Sequence, residues 1–114
     1  MPKVSVIIPT YCPQEFLQAT LASAKEQKGV LEILLVDDSS PEKFREELET
    51  LALSFKARLI LRDKRGGPAA AHNTGIHNSK GEFIAFLEQD DLFLPDKLAI
   101  QVALMEEHPN WGMT

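Results

Sequence analysis

An α/β domain built on a mostly parallel sheet is what this chain predicts. Four short apolar runs, rich in β-branched residues, recur along its 114 residues. Segments with apolar residues at helical spacing separate those runs, and the connections between them are short. The resulting β-α-β-α-β-α-β-α order makes neighbouring parallel strands, because right-handed crossovers return the chain to the same sheet edge.

The first strand is Val4 to Pro9, "VSVIIP". A helix is predicted over "PQEFLQATLASAKEQ", with Pro13 in its first turn, where no donor is needed, and Gly29 as its stop. "LEILLVDD", Leu31 to Asp38, is the second strand. Ser40-Pro41-Glu42 reads as a helix start, with Ser40 as cap, Pro41 first and Glu42 at the positive end of the dipole. Phe44, Leu48 and Leu51 form that helix's inward stripe. Ala57 to Asp63 is the third strand. An alanine-rich helix follows, begun at Gly66-Gly67 and left through Gly81. "EFIAFLE" is apolar on both faces and is therefore expected to be a central strand. Pro95 opens the last helix, with Leu98, Val102 and Met105 on one stripe.

Composition narrows the function. The chain is 44% hydrophobic and 25% charged, ordinary for a globular domain. Its net charge of -5 argues against a nucleic-acid partner, which needs a basic face. Phosphate remains open to an acidic protein that holds it through a divalent cation. The single cysteine, Cys12, permits no internal disulfide and suggests a reducing compartment, with the cytoplasm as the expected location. No run approaches the roughly 20 apolar residues of a membrane span; a peripheral place at the inner face of a membrane stays open. The apolar end around Trp111 and Met113 suggests that the natural chain continues, and with a sheet edge it would favour a homodimer.

In sheets of this kind ligands bind beyond the carboxyl ends of the strands. Strand one delivers Pro9, Thr10, Tyr11 and Cys12 there, and strand two Asp37, Asp38, Ser39 and Ser40. Strand three delivers Arg62 to Gly67, and strand four Glu88, Gln89, Asp90 and Asp91. Asp90 and Asp91 are hard oxygen ligands with no cation near them in sequence, so a divalent metal would relieve their repulsion. Asp37 or Asp38 could accept hydrogen bonds from a base or ribose, Gly66-Gly67 lets backbone approach a ligand, and Arg62, Lys64 and Arg65 could meet phosphate or acceptor charge. Each feature also has a plain structural explanation. Asp90-Asp91 fits a solvated turn, Asp38-Ser39-Ser40 a helix cap, and Gly66-Gly67 a tight turn. Arg62, Lys64 and Arg65 fit a solvated loop, and Cys12 a small packed residue. His72 and His77 are five residues apart, on different faces of one helix, and make a poor metal pair.

Together, "VSVIIPTY", "LEILLVDDSS", "GGPAAAHNTGIHNSKGEFIAFLEQDDLFLPDKL" and "HPNWG" resemble the nucleotide-sugar-binding half of family 2 glycosyltransferases, which have the Rossmann-like GT-A fold. The resemblance covers nearly the whole chain. It implies that residues 1–114 are the donor-binding part of a glycosyltransferase without its acceptor-binding part. It also implies a nucleotide-diphosphate sugar as donor (UDP-sugar ahead of GDP- or dTDP-sugar) and a saccharide, lipid or protein acceptor. Pro9, Thr10 and Tyr11 match the first nucleotide-contacting loop. Asp38 matches the aspartate that holds the base, with Asp37 beside it, and Gly67 to Ala71 match the stretch along the nucleotide. Glu88-Gln89-Asp90 matches the Asp-X-Asp motif, whose last aspartate binds Mn²⁺ or Mg²⁺, and Asp91 is an extra acid. The sequence departs from the family at Cys12, where asparagine is usual, at His72, where arginine is usual, and at Glu88, where aspartate is usual. The resemblance further implies inversion at the sugar carbon, with a general base supplied beyond Thr114.

Other classes fit less well. A phosphoacceptor receiver domain would carry its acidic pair after the first strand, and a dinucleotide-binding domain would show G-x-G-x-x-G there. A non-catalytic nucleotide-binding module of the same fold is the alternative from another class.

Overall fold

The computed structural model describes residues 3–89 and 91–108. Four parallel strands form one sheet: β1 (Val4–Thr10), β2 (Val30–Asp37), β3 (Arg58–Leu61) and β4 (Phe83–Phe86), in the order β3-β2-β1-β4. The helices between them are α1 (Leu17–Lys25), α2 (Arg45–Ser54), α3 (Pro68–Asn78) and α4 (Lys97–Glu107). The predicted order of elements and the parallel sheet are both present. None of the helices is long and apolar enough to cross a membrane.

The period-2 alternation of β1 divides the core. Val4, Val6 and Ile8 face one side of the sheet and pack with Leu17 and Leu21 of α1, Leu48 of α2 and Leu98 of α4. Ile7 faces the other side, with Leu34, Val36 and Ala71 of α3. Every residue of β1 is buried, because β2 and β4 pair with its two edges and helices cover both faces. Each of its buried valine and isoleucine side chains contributes about 1.5–3 kcal/mol.

Three expectations change. β4 is an edge strand among the described residues, not a central one. α3 lies over β1 and β2, which leaves Ile84 and Phe86 of β4 38% and 42% exposed. The first helix begins at Leu17, not at Pro13; a turn closed by the Leu17 N–H donating to the Gln14 carbonyl precedes it. Ser40 does not cap the second helix. Its hydroxyl donates to Asp37, and the chain passes from Pro41 through one 3₁₀ turn, Glu42–Phe44, before α2 starts. The "HPNWG" stretch past His108 lies outside the described residues.

α3 approaches the sheet closely because residue 75 has no side chain. A Cβ on Gly75 would lie 2.5 Å from Cγ2 of the fully buried Ile7, whose branched side chain has no room to move. Gly75→Ala is therefore expected to destabilise the fold by about 1–3 kcal/mol, the usual cost of overpacking. Urea unfolding should show a lower midpoint with an unchanged slope.

Candidate functional site

Parallel pairing brings the carboxyl ends of all four strands to one edge, and a pocket of about 240 Å³ opens there. Pro9, Thr10 and Tyr11 line it from the end of β1 and Asp38 from the end of β2. Arg65, Gly67, Pro68 and Ala71 come from the β3–α3 turn and the start of α3, and Glu88 and Gln89 follow β4. Of the residues singled out in the sequence, Pro9, Thr10, Tyr11, Asp38, Gly67 and Glu88 therefore share one cavity. Asp37, His72 and Asp91 do not line it. Asp90 lies outside the described residues.

Asp38 ties the second loop to the third. Its carboxylate accepts from the Gly66 N–H at 3.0 Å and the Gly67 N–H at 2.8 Å, and pairs with the Arg62 guanidinium. Its own N–H donates to the Thr10 carbonyl at 2.9 Å. Burial pushes the Asp38 carboxyl up, but the hydrogen bonds from Gly66, Gly67 and Arg62 together outweigh it and hold the pKa below its ordinary value. Gly67, at φ 87°, adopts the left-handed backbone that turns its N–H towards this carboxylate, a conformation that favours glycine. Asp37 points elsewhere. Its two oxygens accept from the backbone N–H and hydroxyl of Ser40, so it builds the turn after β2.

Ser40 and Gln89 make the remaining ties. The Ser40 hydroxyl accepts from the Cys12 N–H at 2.8 Å. Cys12 has φ 49°, so the departure from asparagine falls at a backbone conformation that asparagine tolerates better. The Gln89 amide oxygen accepts from the Thr10 hydroxyl and, at 2.9 Å, from the Tyr11 N–H; its nitrogen donates to the Tyr11 carbonyl at 3.3 Å. Sequence reasoning passed over Gln89 as the variable middle of a motif. Its side chain sets the first loop against the fourth.

One face of α1 steadies the segment after β4. Thr20 donates to the Gln89 carbonyl at 2.9 Å, and the Ser23 hydroxyl accepts from the Phe93 N–H at 3.1 Å. Gln27, just past the helix, donates to the Leu94 carbonyl at 2.8 Å and accepts from the Leu98 N–H at 3.0 Å. Spacings of three and four residues place these groups in one row. The i,i+3,i+4 pattern was visible in the sequence, but it reads as an amphipathic helix, not as a polar grip.

Two further side chains make contacts that the sequence does not announce. His72 lies against Phe86, with ring centroids 4.4 Å apart, and its Nε2 is 3.7 Å from the Glu88 carboxylate. Arg65, which the sequence allows as loop solvation, stacks on the Tyr11 ring with its guanidinium 4.0 Å from the centroid. Such a contact is worth about 0.5–1 kcal/mol at an exposed position.

The donors available to a metal are carboxylates. Glu88 lines the pocket, Asp91 is exposed beside it, and the described residues contain no group of three His, Cys, Asp or Glu able to hold an ion. This set fits a cation that takes one or two protein ligands and completes its shell with ligand phosphate and water. It does not fit a closed structural site.

With this geometry in hand, comparison with known proteins is specific. A model of glycosyl transferase family 2 matches residues 5–112. The succinoglycan biosynthesis protein ExoW of Rhizobium meliloti is 39% identical over 103 residues, covering 86% of this chain and 32% of that protein. The crystal structure of Staphylococcus aureus TarS 1–349 in complex with UDP-GlcNAc superposes with a TM-score of 0.79 at 27% identity, over 94% of this chain and 32% of that one. The mannosyltransferase PcManGT of Pyrobaculum calidifontis, in complex with GDP-Man and Mn²⁺, gives 0.80 at 29% identity, over 91% and 32%. The chain spans 32% of the length of ExoW and between 15% and 43% of the lengths of seven other curated relatives.

Asp38→Asn is expected to lower stability at neutral pH by about 2–3 kcal/mol, less than in a fully dry site because Arg62 keeps some contact with water. The native carboxylate contributes fully above the ordinary value of 3.8, and its contribution drains as pH falls through the lower folded-state value. Unfolding free energies of the two proteins, measured in urea across pH, should therefore converge below about pH 4.

Proposed function

The chain belongs to glycosyl transferase family 2, and on that basis we propose that its pocket binds the donor of a glycosyltransferase, a sugar carried on a nucleoside diphosphate. The supporting observation is the convergence of Pro9, Thr10, Tyr11, Asp38, Gly67 and Glu88, drawn from all four strand ends, on one cavity. The reaction is transfer of the sugar to an acceptor hydroxyl with inversion at the anomeric carbon. The acceptor oxygen forms a bond to that carbon as the bond to the diphosphate oxygen breaks, and the acceptor's proton passes to a base.

The roles follow from what each group is free to do. Tyr11 offers an aromatic face and Thr10 a hydroxyl already oriented by Gln89. Gly67 lets the start of α3 approach the ligand. Asp38 shapes the floor by holding Gly66 and Gly67. Its carboxylate is occupied by those bonds and its lowered pKa makes it a poor proton acceptor, so it is not assigned as the general base. Asp90 and Asp91 would hold Mn²⁺ or Mg²⁺, which when bound offsets the charge of the departing diphosphate. Glu88 lines the cavity.

UDP-sugar is placed ahead of GDP- and dTDP-sugar as donor, with the TarS complex in support and the PcManGT complex as the competing precedent. The likeness to ExoW favours a saccharide acceptor over a lipid or protein one.

Calorimetric titration with UDP and GDP, each with Mn²⁺ and with EDTA, tests this reading. Binding is expected to need the metal and to fall at least about tenfold in Asp90→Ala, the loss of roughly one charge-assisted contact. Equal affinity in EDTA would remove the metal assignment, and absence of binding to either nucleotide would sink the donor site.

A further inference from the structure

We propose that Arg65 is the cation that engages the diphosphate of the bound nucleotide, and that Tyr11 holds it ready for that contact. This rests on the donor-site reading above and assigns a residue that the family resemblance leaves without a role.

Arg65 is the one basic side chain among the described residues that line the pocket. The nearby guanidinium of Arg62 is committed elsewhere: its Nε donates to the Thr74 hydroxyl at 3.0 Å, and its Nη1 to Asp38 and the Lys64 carbonyl. Lys64 does not line the cavity. Arg65 takes part in none of the ion pairs among the described residues, and its contact is the Tyr11 ring.

The chemistry favours an anion. A diphosphate brings at least two negative charges to a cavity that the Glu88 carboxylate also lines. Without a cation on the protein side, that approach is opposed. The guanidinium presents parallel N–H donors that match phosphate oxygens two at a time, and it stays charged at all relevant pH. Stacking on Tyr11 limits its rotamers without using those in-plane donors. It can therefore turn to a ligand while giving up only a weak contact. The guanidinium, 4.0 Å from the ring centroid, also leaves no space for a further ring between the two, so the contact does not serve to sandwich a base.

The test is titration of the full chain, as wild type, Arg65→Ala and Arg65→Lys, with UDP and GDP, each beside its nucleoside, in Mg²⁺ buffer. Arg65 is exposed, so both variants should melt with the wild type. Arg65→Ala is expected to weaken the preferred diphosphate about ten- to a hundredfold and to leave its nucleoside within about twofold, since the phosphates carry the charge-assisted contact. Arg65→Lys should fall between, since it keeps the charge and loses the fork. Equal loss for nucleoside and diphosphate would overturn the assignment, as would Arg65→Ala binding as tightly as wild type. If wild-type protein binds neither nucleotide, the donor-site reading itself fails and takes Arg65 with it.

Discussion

The site depends on a chain of side-chain-to-backbone hydrogen bonds that crosses the sheet edge from strand to strand. Gln89 joins the fourth loop to Tyr11, Ser40 joins Cys12 to Asp37, and Asp38 joins the second loop to Gly66 and Gly67. Backbone groups at the ends of parallel strands have lost their sheet partners and need others. Here they find one another's neighbours, so satisfying the strand ends and shaping the cavity are the same act. Removing the Asp38 carboxylate leaves the Gly66 and Gly67 N–H groups and the Arg62 guanidinium without their acceptor, which is why it matters out of proportion to its size.

The opposite end of the sheet is fixed in a similar way by a separate network. Glu32 accepts from the Ser5 hydroxyl at 2.7 Å and the Lys80 N–H at 2.6 Å, and Ser5 accepts from the Gly81 N–H at 2.8 Å. With apolar contacts on both faces between these two polar belts, the sheet presents its upper edge as a rigid platform. Arg65 and Glu88 stand on that platform outside its hydrogen-bond ties, Arg65 against the Tyr11 ring and Glu88 near His72.

The sheet and its helices were legible in the sequence because they follow from period and punctuation. Val4, Val6 and Ile8 alternate with Ile7 as a strand should, and Gly67-Pro68 opens a helix as its chemistry dictates. Where sequence reasoning missed, competition between possible partners decided the outcome. Ser40 has the right type and place to cap a helix, yet Asp37, three residues before it, captures its hydroxyl first. β4 is apolar on both faces, yet its neighbours are set by which strands pair with β1. Gln89 carried no local signal, since its partner Tyr11 lies 78 residues away, and the basic run holding Arg65 pointed to an anion but not to the Tyr11 ring. Gly75 is a packing requirement that the helical period does not announce.

The row formed by Thr20, Ser23 and Gln27 has a consequence of a different kind. An apolar helix face can slide or rotate by a turn and still find oily partners, because its attraction has no direction. A face that must meet the Gln89 and Leu94 carbonyls and the Phe93 and Leu98 N–H groups has one setting only. The helix therefore indexes the chain, fixing its position along the segment much as a toothed rack fixes a gear. Greasier substitutions along this row would strengthen collapse and erase the indexing, leaving a protein that still buries its core but no longer delivers its acidic segment to one place.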